Sequence, residues 1–102
     1  MTNAHEYAKS NSQQFEAQLA DLLRIKSIST LPECKADVLK AAEWVAADMR
    51  RIGLTTVEIL PTGGHPVVYG EWSGAGSGAK TVLIYGHYDV QPVDPIDLWT
   101  SP

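Results

Sequence analysis

The feature that most constrains the fold of this chain is a change in the spacing of its apolar residues at Gly53. Before Gly53, apolar residues recur about every 3.6 positions, which is the period of an amphipathic helix. After Gly53 they alternate or run continuously, which is typical of strands. The sequence therefore predicts an α/β fold in which two helices precede three strands.

Two helices are predicted before Gly53, after a polar lead-in at residues 1–11 that frays or continues into the first helix. The first helix covers residues 12–25, and its apolar stripe should face the core. That stripe consists of Phe15, Leu19, Leu22 and Leu23. The second helix ends at Gly53, a residue common after helix C-termini. Its stripe consists of Val38, Ala42, Val45, Met49 and Ile52.

Three strands are predicted after Gly53, at residues 55–60, 66–72 and 81–86. Pro and Gly residues separate them, as expected for turns. The third segment, TVLIYG, is apolar on both faces, so we expect it to lie inside a sheet that is covered on both sides.

Composition limits the classes of function. A chain of 102 residues can build one modest core, and its net charge of -4 argues against a nucleic-acid partner. The single cysteine, Cys34, cannot form an internal disulfide, which fits a reducing compartment. No apolar run approaches the roughly 20 residues that span a membrane. These features predict a cytoplasmic protein without a membrane segment.

Several candidate motifs have simpler interpretations. The glycine-rich residues 74–81 resemble a phosphate-binding loop, but Lys80 follows alanine and a strand is predicted where a helix is needed. Cys34 has no activating neighbour in the sequence and is interpreted as a semi-buried thiol. His5 and His65 lie in polar or turn segments, so we interpret them as solvated loop residues.

The segment YGHYDVQP differs because it places His87 and Asp89 just after the third predicted strand. Residues two apart in extended chain point to the same side, so these side chains should project together. A carboxylate beside an imidazole fixes its tautomer and raises its basicity, as a metal-binding histidine requires. The alternative is an ordinary histidine that is hydrogen-bonded at a strand end.

The run TVLIYGHYDVQPVDPIDLWTSP resembles the first metal-site motif of a zinc metallopeptidase family. That family contains carnosinase-like dipeptidases, aminoacylases, glutamate carboxypeptidases and succinyl-diaminopimelate desuccinylases. The resemblance extends back through RIKSIST, RRIGL and GGHPVVYGEWSG, over about residues 24–102. It implies that residues 12–102 are the N-terminal part of a zinc-exopeptidase-like catalytic domain with a mostly parallel or mixed sheet.

The resemblance also implies roles for two residues: His87 as a zinc ligand and Asp89 as the catalytic carboxylate that orients it. The implied reaction is hydrolysis of a dipeptide or N-acyl amino acid by water activated between two zinc ions. The intact enzyme is expected to be a homodimer.

Two hypotheses follow. In the first, the chain is part of a zinc amidohydrolase whose other ligands and lid domain lie downstream, so that alone it is inactive. In the second, it is a non-catalytic α/β fragment that binds a partner through its uncovered sheet.

Overall fold

The N-terminal part of the chain is helical in a computed structural model, which describes residues 3–101. Helix α1 spans Ala4–Ser10 and helix α2 spans Ser12–Leu23. Asn3 caps α1, because its side-chain oxygen accepts a hydrogen bond of 2.8 Å from a backbone amide of the first turn. Residues 4–10 of the predicted lead-in are therefore helical, and residues 1, 2 and 102 lie outside the described part of the chain.

The apolar stripe of α2 is mostly exposed, contrary to its predicted core-facing role, and within it only Leu22 is half-buried. Phe15, Leu19 and Leu23 are 40–59% exposed, and α2 contributes no buried residue. The spacing shows which face of the helix can be buried, but burial also requires a second element over that face.

The second predicted helix is confirmed as α3, which spans Lys35–Arg51. Its end is a Schellman motif: the amide of Gly53 bonds to the Arg50 carbonyl, and the amide of Leu54 bonds to the Met49 carbonyl. Gly53 adopts a φ of +98°, which favours glycine over residues with a Cβ. The small core lies along this helix. It consists of Ile28, Cys34, Val38, Ala41, Ala42 and Ala46.

An antiparallel hairpin packs against α3. Strand β1 spans Thr56–Leu60 and strand β2 spans Val67–Glu71, which confirms the first two predicted strands. The helix approaches β2 closely at Gly70, where an added Cβ would lie 2.7 Å from the sulfur of Met49. Glycine at this position therefore allows the helix and the hairpin to pack together.

The third predicted strand is not confirmed. Residues 81–86 form no strand, and the side chains from Val82 to Tyr85 are 80–91% exposed. The described sheet therefore has two antiparallel strands, and a mostly parallel or mixed sheet of three is not confirmed either. A strand needs a hydrogen-bonded neighbour, and apolar spacing alone cannot supply one. Among residues 3–101, no helix is both long and apolar enough to cross a membrane.

Candidate metal site

The segment that contains His87 and Asp89 is held against the loop after α2. The amide of Val90 donates to the carbonyl of Ser27 at 3.0 Å, and the hydroxyl of Ser27 donates to the carbonyl of Tyr88 at 3.2 Å. Ile28 and Val90 form an isolated parallel bridge. Since Ser27 and Ile28 are buried, the site is attached to the core of the molecule.

Tyr88 provides a second attachment. Its hydroxyl donates a hydrogen bond of 2.5 Å to the carbonyl of Pro66, at the start of β2. Burial, followed by the charge of Asp89, raises the pKa of Tyr88, so its phenol stays protonated and able to donate. The segment around His87 is thus tied to the hairpin as well as to the loop after α2.

His87 and Asp89 contact each other, as their spacing predicts. Nδ1 of His87 lies 3.0 Å from Oδ1 of Asp89 and 3.1 Å from its backbone oxygen. A carbonyl oxygen and a carboxylate oxygen only accept hydrogen bonds, so Nδ1 must carry the proton. In the neutral imidazole Nε2 then keeps its lone pair, and it belongs to a side chain that is 78% exposed. The pair can therefore present one nitrogen ligand to a metal ion.

Ser29 completes the surroundings of the Asp89 carboxylate. Its hydroxyl donates a hydrogen bond of 2.5 Å to Oδ2. This bond is the main reason that the pKa of Asp89 lies below its ordinary value, with the His87 contact adding to the effect and partial burial opposing it. Each carboxylate oxygen thus has its own side-chain donor, and Asp89 remains charged.

His65 also lies beside this group of residues, although the sequence predicts a solvated loop residue. It is half-buried, and its Nε2 lies 2.9 Å from the carbonyl oxygen of Ser29. Since a carbonyl accepts only, this nitrogen is the donor. His65 is therefore a turn residue, as predicted, but it is only partly solvated, because the hairpin turn folds back onto the loop after α2.

Sequence reasoning missed Ser29 and His65 as neighbours of the site. Both lie in segments that carry the family resemblance, RIKSIST and GGHPVVYG, and the structure brings these segments to GHYDVQP. The available signal was that each of these segments of the family resemblance contains a polar residue that can form a hydrogen bond near the site.

Three curated relatives show what the chain resembles. It is 29% identical over 100 residues to the Cys-Gly metallodipeptidase DUG1 of Candida albicans, and the aligned region covers 86% of this chain and 20% of that protein. The Saccharomyces cerevisiae DUG1 is 25% identical over 113 residues, and the aligned region covers 99% of this chain and 23% of that protein. The cysteinylglycine-S-conjugate dipeptidase of Corynebacterium striatum is 29% identical over 91 residues, with 89% and 20% covered.

The predicted resemblance to the metallodipeptidase family is confirmed. The chain spans about a fifth of the length of these curated dipeptidases. No family model matches the chain, and no solved structure does.

The described residues provide one candidate metal ligand and not a complete metal site. Within residues 3–101, no group of three or more His, Cys, Asp or Glu side chains is placed to hold a metal ion. Zinc in proteins usually takes three or four protein ligands. His87 can supply one ligand and Asp89 the carboxylate that orients it, so a complete site needs ligands in addition to these.

Proposed function

We propose that this chain forms part of a metal-dependent dipeptidase, in which His87 binds zinc through Nε2 and Asp89 orients the imidazole. The contact of 3.0 Å between Nδ1 and Oδ1 is the observation that carries this proposal. It fixes the proton on one ring nitrogen and leaves the other free to coordinate. The names of the relatives favour a Cys-Gly dipeptide or a related conjugate as substrate, within the wider class of dipeptides and N-acyl amino acids.

The chemistry needs both the metal and the side chains of this chain. A bound pair of zinc ions would polarise the peptide carbonyl and lower the pKa of a bound water. Asp89 holds the imidazole of His87 in one orientation, and its negative charge makes Nε2 more basic. The charge of Asp89 is kept by the hydrogen bonds from Ser29 and His87.

The same proposal includes the intact enzyme. Its other metal ligands lie outside residues 3–101, it acts as a homodimer in the cytoplasm, and residues 1–102 alone do not turn over substrate. The location of the other ligands is supported by residues 3–101, which contain no group of three or more side chains placed to hold a metal ion.

A second candidate function is supported by one observation. The apolar side chains of residues 82–85 are exposed, which suits a non-catalytic fragment that binds a partner along this segment.

A zinc titration of the 102-residue chain, followed by NMR of its histidine rings, tests the proposed ligand. We expect zinc to shift the Nε2 resonance of His87 and His87→Ala to abolish that binding. His5→Ala is the matched control, because His5 is an exposed histidine on α1 and should leave zinc binding unchanged. Equal zinc affinity in the wild type and in His87→Ala would contradict the proposal.

Hydrolysis of Cys-Gly by the zinc-loaded chain tests the incomplete site. We expect no turnover by residues 1–102. In a chain that spans the full length of the relatives, His87→Ala should lower kcat/KM about 100-fold or more, because a ligand matters at least as much as the residues that orient it. Turnover by the 102-residue chain would show that its site is complete.

A further inference from the structure

We propose that Ser29 is a positioning residue for the metal site: its hydroxyl holds the Asp89 carboxylate in the rotamer that orients His87. This inference rests on the proposed role of His87 as a metal ligand. It assigns a function to a residue 60 positions away in the sequence, in the loop that follows α2.

The two oxygens of the Asp89 carboxylate accept hydrogen bonds from two different side chains. The hydroxyl of Ser29 lies 2.5 Å from Oδ2, and Nδ1 of His87 lies 3.0 Å from Oδ1. The Asp89 side chain is 38% exposed and the His87 side chain is 78% exposed, so water competes for their contact. An exposed pair of this kind contributes little by itself, because both side chains lose rotational freedom in forming it. The second donor reduces that cost by fixing the carboxylate beforehand.

Ser29 is itself restrained from two directions. Its carbonyl accepts the hydrogen bond of 2.9 Å from Nε2 of His65, in the hairpin turn. The two residues before it are paired with the segment that carries Asp89, through the Ser27 bonds and the Ile28 bridge. The backbone of Ser29 is therefore held by contacts on both sides, and it keeps the hydroxyl next to the Asp89 carboxylate.

The chemical consequence concerns the proton on the ring of His87. The hydrogen bond that one ring nitrogen makes determines which nitrogen is protonated. With Asp89 held, Nδ1 donates and Nε2 is ready to bind a metal. Without the Ser29 hydroxyl, Asp89 can rotate away, and Nδ1 keeps only the backbone oxygen of Asp89 as an acceptor. Part of the proton population then moves to Nε2, the atom that must coordinate.

NMR of the His87 ring nitrogens in the metal-free 102-residue chain measures this tautomer directly, at one pH where the imidazole is neutral. We expect the wild type to hold the proton on Nδ1, and Ser29→Ala to move a large part of the population to Nε2. Ser29→Thr keeps a hydroxyl and should restore the wild-type tautomer.

Thr30→Ala is the matched control. It also removes a hydroxyl from the same loop, but Thr30 is exposed, and the side-chain donors to the Asp89 carboxylate are Ser29 and His87. If the role of Ser29 is merely structural, Ser29→Ala should change stability and, like the control, leave the tautomer of His87 unchanged. We expect only Ser29→Ala to change it, and to weaken zinc binding about 10-fold to 100-fold. If Ser29→Ala does not fold, Ser29→Cys, which has a similar size and a weaker donor, should give a change in the same direction.

The outcomes separate this inference from the proposed function. A wild-type tautomer in folded Ser29→Ala, or in Ser29→Cys if that variant takes its place, overturns the role of Ser29, whether or not His87 binds zinc. If, in a chain that spans the full length of the relatives, His87→Ala binds zinc as tightly as the wild type, the proposed metal site fails, while a tautomer change in the Ser29 variant still supports the positioning of Asp89 by Ser29.

Discussion

At the scale of single residues, hydrogen bonds to carboxylates also control protonation outside the candidate metal site. The hydroxyl of Tyr69 on β2 donates to the carboxylate of Glu71. This bond, and then the negative charge of Glu71, raise the pKa of Tyr69 above its ordinary value of about 10. As the pH rises, the phenol of the unfolded chain ionises before the phenol of the folded chain. The contribution of Tyr69 to stability is therefore fully present below about pH 10, and it is lost as the pH rises through the raised pKa of the folded state. We expect Glu71→Gln to lower the pKa of Tyr69, measured by NMR of the tyrosine ring carbons.

Glu58→Gln is the control for this prediction, because Glu58 acts on Tyr69 by charge alone and has the smallest effect. Glu58→Gln should change the pKa of Tyr69 by less than Glu71→Gln does. Equal changes would mean that the hydrogen bond is unimportant.

At the scale of elements, the end of α3 depends on the conformation of one residue. Gly53 has a φ of +98° and closes the Schellman motif that joins the helix to β1. We expect Gly53→Ala to lower the free energy of unfolding by about 1–2 kcal/mol, because a Cβ is unfavourable in the left-handed region. Urea unfolding of the 102-residue chain measures the loss.

The matched control is Gly63→Ala in the hairpin turn. An added Cβ there meets no atom within 4 Å, and the φ of Gly63 lies outside the left-handed region. This variant should be neutral or slightly more stable, since alanine restricts the unfolded chain. A similar loss in both variants would show that φ at Gly53 is not the cause.

At the scale of the whole molecule, the chain buries few large side chains and exposes an apolar segment. Its core consists mainly of small residues along α3, whereas Val82, Leu83, Ile84 and Tyr85 are 80–91% exposed. An exposed, uncharged segment with high β-propensity readily forms strand pairs with other chains. We expect the isolated chain to self-associate and to bind an apolar-surface dye, and the double substitution Val82→Lys with Ile84→Lys to reduce both effects. Sedimentation and dye fluorescence are the measurements.

A second double substitution, Ser77→Lys with Ala79→Lys, controls for charge. Both residues are exposed in the neighbouring loop, and the pair changes the net charge by the same amount. Self-association should persist in this variant. If it is lost there too, net charge and not the apolar segment controls association.

The sequence by itself determined the elements whose stability is local. The spacing of apolar residues and Gly53 predicts α3, because helix hydrogen bonds and the terminating turn lie within the same short segment. Alternation and the intervening turn likewise predict β1 and β2, which follow each other in the chain. The spacing of His87 and Asp89 predicts their contact for the same reason.

Only the tertiary structure decided what depends on distant neighbours. It left residues 81–86 without a partner strand and the α2 stripe uncovered, because pairing and burial need a second element that no local pattern specifies. It also placed Ser29 and His65 beside the candidate metal site. Their contacts join residues 36 and 60 positions apart, and such long-range hydrogen bonds exist only once the loop after α2, the hairpin turn and the segment around His87 have come together.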